Sequence, residues 1–211
     1  MAIVVLISDA LKVELMSNGI PAPAEVIWVN EVISFQQHRT TDVFIDFLFE
    51  NTQERIEILK QLQSTVIVNS VVDTLAEIDE GFIRINGWPT FLKGGLIEAT
   101  CLKDNLKEKA AEAFVYFEKT IEWLPDEPGF VTPRVVSMII NEAYFALGEG
   151  VSAPEQIDMA MKLGTAYPYG PFEWANKIGV QNIVDLLNKL SRQQARYIPC
   201  ELLVQETNKA I

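Results

Sequence analysis

Histidine and cysteine are almost absent from this sequence, which has one histidine, His38, and two cysteines, Cys101 and Cys200. Two thiols so far apart make neither a disulfide framework nor a metal cluster. Basic residues are scarce too, 17 against 29 acidic ones, for a formal net charge of -12. Such a surface repels nucleic acid, whose binding requires phosphates to be neutralised. No nucleic-acid partner is expected, and an anionic cofactor would need a local positive site. No apolar run approaches the roughly 20 residues that span a bilayer. Residues 1–9 have neither the basic start nor the long apolar core of a signal peptide. The expectation is a reduced, cytoplasmic, soluble protein with no membrane partner.

What is present is enough apolar material, 49% of the chain, for one good core or two small ones. At 22% charged residues, composition gives no sign of disorder. The run AIVVLI at 2–7 reads as a buried parallel strand. Residues 9–18 have helical spacing and stop at Gly19; residues 20–24 hold two prolines and read as a loop. Further strands are expected over 25–30, 42–49, 65–69, 82–85, 96–100 and 120–124, with helices over 52–63 and 102–119. From Pro128 onward the apolar spacing is helical throughout. Helices are expected over 132–147, ended by Gly148 and Gly150, and over 154–163, with Ser152 as N-cap and Pro154 in the first turn. Two more follow over 172–178 and 181–190. The reading is α/β followed by all-α, with domains over 1–125 and 126–211.

The second half carries specific motifs. DEPGFVTPR (126–134) is followed by NEA (141–143), EGV (149–151), ID (157–158), AMKLG (160–164) and YPYGPFE (167–173). In order and spacing these resemble the C-terminal helical domain of the 3-hydroxyacyl-CoA dehydrogenases, with its pattern DxPGFIxNR, NEA, EEG and IDxAMxxGxGxPxGPFE. Gly-Pro-Phe-Glu alone would mean little. In the first half, TDVFIDFLFEN (41–51) resembles the family's aDlViEAvfEn strand. Residues 66–70 resemble its strand ending in Asn-Thr-Ser, and 82–99 its GLHFFNPVPVMKLVEV stretch. The resemblance implies a reduced Rossmann-like parallel-sheet domain followed by a helical domain that contacts substrate and forms a homodimer. Much of the family's second βα unit is missing.

In that family a histidine takes the proton of the 3-hydroxyl while hydride leaves for NAD, and a glutamate orients the histidine; an imidazole suits the step because its pKa lies near 7. Carried over, the histidine position falls on Asn86 and the glutamate on Glu98, twelve residues on, as in the family. An amide is no base near neutral pH, and losing a general base costs about 10² to 10⁴ in rate. The asparagine of HFFNP falls on Pro89, and that of FIxNR on Pro133. Ser70 either keeps the role of the Asn-Thr-Ser serine or is an ordinary strand-end turn. His38 matches no catalytic position and reads as a surface or loop histidine.

A dinucleotide fold needs glycines after its first strand so that the backbone can approach the pyrophosphate. Here Ser8, Asp9 and Ala10 follow, no glycine precedes Gly19, and Asn30 replaces the acidic ribose ligand. Asn30, Glu50 and Arg55 are the remaining cofactor-binding candidates; Glu50 and Arg55 fit a solvated helix start equally well. Asp42, Asp46 and Glu50 lie in a strand and are not a metal site. Lys93 before Gly94 and Gly95 suggests an anion-binding turn or a plain loop. The four tryptophans read as core or interface aromatics. Three functions follow: a divergent non-redox member binding an acyl-CoA or a protein partner, with no cofactor; an active NAD-dependent 3-hydroxyacyl-CoA dehydrogenase; or a purely structural role.

Overall fold

The computed structural model describes residues 1–18, 25–38 and 40–208. The stop at Gly19 and the loop expected over 20–24 lie outside them. By contact density the chain divides into two units, Met1–Phe130 and Val131–Ile211.

The first unit is a seven-stranded sheet. Its strands are β1 (Ala2–Leu6), β2 (Glu25–Val29), β3 (Val43–Asp46), β4 (Thr65–Asn69), β5 (Ile83–Ile85), β6 (Leu96–Cys101) and β7 (Thr120–Trp123), in the spatial order β2-β1-β3-β4-β5-β6-β7. All neighbours run parallel except β5 and β6. The apolar runs read as strands because both faces are covered. One face carries Ile3, Val5, Val43, Ile45 and Ile67 against helices α1 (Asp9–Leu15) and α3 (Asp104–Val115). The other carries Val4, Leu6, Phe44 and Val66 against helix α2 (Gln53–Lys60) and Phe35 of a 3-10 turn, Val32–Gln37. Each large side chain so buried contributes about 1.5–3 kcal/mol.

Several expected elements are shorter than read. The strand expected over 42–49 is Val43–Asp46; one more ladder bond follows, from the Phe47 N–H to Leu6 O, before the chain turns with Asp46 accepting the Leu48 N–H at 3.0 Å. The helix expected over 102–119 is Asp104–Val115, and Glu118, at φ 53°, cannot continue it.

The second unit holds helices α4 (Thr132–Gly148), α5 (Pro154–Thr165), α6 (Pro171–Ile178), α7 (Val180–Ser191) and α8 (Glu201–Thr207), with a 3-10 turn at Ala195–Tyr197. Helix α8 and both 3-10 turns were not among the expected elements. Ser152 is not the cap of α5. Ala153 holds that position, and the Ser152 hydroxyl bonds the Gln156 side chain at 2.7 Å. No helix among the described residues is long and apolar enough to cross a membrane.

Candidate functional site

The chain leaves β1 through α1 to β2 on one side, then returns to place β3 on the other. The C-terminal ends of β1 and β3 therefore form a topological switch point, where open α/β sheets usually hold ligands. On the β1 side the turn is built from side-chain-bearing residues. Ser8 caps α1 by accepting the Leu11 N–H at 3.4 Å, and Asp9 places a carboxylate in the first turn. On the β3 side lies Phe47, 2% exposed, whose N–H donates to Leu6 O at 2.9 Å. A Cβ on Gly87 would lie 2.9 Å from the Phe47 ring and 2.8 Å from Asn69 Cγ. Asn69 fastens the two together, donating to Phe47 O at 3.1 Å and accepting the Gly87 N–H at 2.9 Å. Sequence reasoning did not single out Phe47. The signal was available, since the family pattern has alanine at that place.

Asn86 and Glu98 come together at the antiparallel β5–β6 edge. Asn86 Nδ2 donates to Glu98 Oε2 at 3.0 Å, and the Asn86 N–H donates to Glu98 O at 2.9 Å. Asn86 Oδ1 accepts the Trp88 N–H at 3.3 Å. Both residues are buried. The amide is thus fixed at both ends. The Ser70 hydroxyl donates to Asp73 O at 2.8 Å, closing a turn.

The remaining predicted residues scatter. Asn30 and Glu50 are exposed. Arg55 is turned away from solvent, its Nε and Nη2 forked onto Asp46 at 2.8 Å each. Burial pushes the Asp46 carboxyl above its ordinary pKa, and Arg55 opposes that rise. Asp42 lies apart from Asp46, accepting the Ala2 N–H and pairing with Lys109 at 3.2 Å. His38 is half-buried in the turn before β3. Lys93 is exposed in the loop before Gly94 and Gly95. The carbonyls of Leu92 and Gly94 face inward onto the buried Lys119 ammonium, at 2.5 and 2.7 Å, so the loop is built around a cation.

Many motif residues hold structure. Arg84, fully buried in β5, forks onto Asp126 at 2.6 Å and onto the carbonyls of Glu127 and Ser70, and stacks on Phe130 at 4.2 Å. Asp126 also accepts the Leu75 N–H. In the helical unit Asp158 caps α6, accepting the N–H groups of Phe172 and Glu173 at 2.8 and 3.1 Å. Any Cβ on Gly170 would collide with that carboxylate. Lys162 bonds Glu173 and holds its carboxyl below the usual range, helped by the Gly170 N–H. Asn141 bridges Ile198 O and the Cys200 N–H, docking α8 onto α4.

Residues 129–209 match the family model described as the 3-hydroxyacyl-CoA dehydrogenase C-terminal domain. Over 119 residues the chain is 39% identical to the 3-hydroxyadipyl-CoA dehydrogenase of Escherichia coli (strain K12), covering 54% of this chain and 25% of that protein. The matched stretch thus spans only a quarter of that relative. A probable 3-hydroxybutyryl-CoA dehydrogenase of Bacillus subtilis (strain 168) is 27% identical over 215 residues, covering 92% of this chain and 73% of its own. The fold of (S)-3-hydroxybutyryl-CoA dehydrogenase from Ralstonia eutropha superposes with a TM-score of 0.74 at 20% identity, covering 99% of this chain and 94% of that one. Motif order, the family model over residues 129–209 and the fold agree in making the chain similar to the 3-hydroxyacyl-CoA dehydrogenases.

Proposed function

We propose that this chain is a divergent, non-redox member of its family, which binds an acyl-CoA or a protein partner without turning over NAD. The observation that carries this reading is Asn86. The resemblance carries the base's position onto it, and it lies beside Glu98 with its amide donating to the carboxylate and accepting from Trp88. An amide so held can bond a carbonyl but cannot take up a proton. The first βα turn supports the same reading. Ser8 already satisfies the Leu11 N–H, and Asp9 sets a negative charge where a pyrophosphate would approach. That turn does not fit a dinucleotide.

The pairing of Asn86 with Glu98 and the similarity to the 3-hydroxyacyl-CoA dehydrogenases favour a second reading, an active NAD-dependent 3-hydroxyacyl-CoA dehydrogenase. Turnover of acetoacetyl-CoA with NADH separates the two. The first reading expects none, and saturable binding of CoA without NADH oxidation. Steady turnover would establish the second. Absence of CoA binding would leave a protein partner as the function.

We further propose a homodimer through the helical unit. A groove of about 770 Å³ there is lined mainly by apolar residues such as Met138, Ile139 and Met161, and Val135 and Leu163 are exposed. Apolar surface of this extent commonly marks an interface. Light scattering at micromolar concentration tests it. The two cysteines, free and buried, suit a reducing cytoplasm.

A further inference from the structure

We infer that Phe47 is the resident occupant of an aromatic slot at the switch point, and that its ring keeps a ligand's planar ring out. This rests on the non-redox reading above, and it names the residue that enforces it. Four observations converge. Phe47 follows β3 directly, where β3 and β1 end side by side and its own N–H extends their pairing to Leu6. Its ring is 2% exposed and belongs to the buried cluster that includes Ile7, Leu11 and Leu92. The chain has been cleared to admit it, since Gly87 presents no side chain where a Cβ would lie 2.9 Å from the ring. Asn69 clamps the Phe47 carbonyl to the Gly87 N–H, so the opposing walls are tied across the ring.

In the family pattern this position is alanine. A phenylalanine there adds a whole phenyl ring at the place where open α/β sheets receive ligands. The slot is therefore shaped for a flat aromatic group and filled by one supplied in the same chain. Removing the ring leaves a hollow beside Gly87, within the buried apolar cluster to which Ile7 and Leu92 belong. Hollows of about 150 Å³ lined by apolar side chains stay dry and bind benzene. The class of ligand expected is a neutral planar ring such as benzene, indole or the nicotinamide ring.

The test is Phe47→Ala, titrated with indole and with nicotinamide by calorimetry and followed by thermal melting. The wild-type chain is expected to show no shift in melting temperature with either. Phe47→Ala is expected to bind indole with a Kd on the order of 1 mM or tighter and to melt higher in its presence. If Phe47→Ala does not fold, Phe47→Leu is assayed with benzene, whose smaller ring needs less space, and a rise confined to that variant supports the slot. Folded variants as indifferent to every ring as the wild type overturn it, while the non-redox reading stands. NADH binding to the wild-type chain overturns that reading and the slot with it.

Discussion

Asn86 and Glu98 face each other across adjacent strands, joined twice: side chain to side chain at 3.0 Å and backbone to backbone at 2.9 Å. The strand pairing therefore fixes their separation whatever residue stands at 86. Asn86→Ala removes a donor from a buried carboxylate, and we expect it to destabilise the chain by about 1–3 kcal/mol. Asn86→His, whose ring N–H can serve the same carboxylate, is expected to cost less. Chemical denaturation of both variants measures the difference.

Arg84 reaches Asp126 and two carbonyls from a fully buried position. Burial lowers its pKa, Asp126 offsets this, and a guanidinium stays charged in proteins. Arg84→Ala leaves Asp126 without its cation and is expected to cost about 3–5 kcal/mol. Arg84→Lys should recover little, because an ammonium cannot reproduce the fork. Equal stability of Arg84→Lys and wild type in urea would refute this.

Gly170→Ala is expected to lower the melting temperature of the helical unit. The new Cβ meets the Asp158 carboxylate that caps α6, and overpacking of this kind costs typically about 1–3 kcal/mol. Asp158→Asn, which keeps one acceptor, should cost less than Asp158→Ala. Calorimetric melts of the three variants give the ranking.

Asp42 supplies a pH test. The Ala2 N–H, the Lys109 side chain and the Lys109 charge hold its carboxyl below the ordinary range. A depressed folded-state pKa means that its stabilisation is complete above the unfolded value near about pH 4 and is lost as pH falls through the folded value. Asp42→Asn should therefore lie below wild type in melting temperature at pH 7, with the gap closing below about pH 4. A gap unchanged down to about pH 2 would show that the charge contributes nothing.

The strands were legible because continuous apolar runs such as AIVVLI can only be buried on both faces, and the helical half because its motifs keep their order. The antiparallel β5–β6 pair was not, since three residues, Ile83–Ile85, carry no directional signal. Nor was Arg84, whose charge is neutralised by a residue 42 positions away. Lys119 was read as helix and is instead the cation at the centre of the loop from Leu92 to Gly94. Asn86 and Glu98 were found only through the resemblance, which carries the family's histidine and glutamate positions onto them. Phe47 was hidden inside an apolar run in which one more hydrophobic residue drew no notice. Arg55 was a cofactor candidate because the resemblance puts a basic residue there; in the fold its guanidinium bonds Asp46.

The most direct test is calorimetric titration of NADH into the purified chain. A side-chain-bearing turn capped by Ser8, with Phe47 filling the switch point, predicts no saturable heat up to about 1 mM NADH. Saturable binding in the micromolar range, followed by oxidation of the bound NADH on addition of acetoacetyl-CoA, would contradict it.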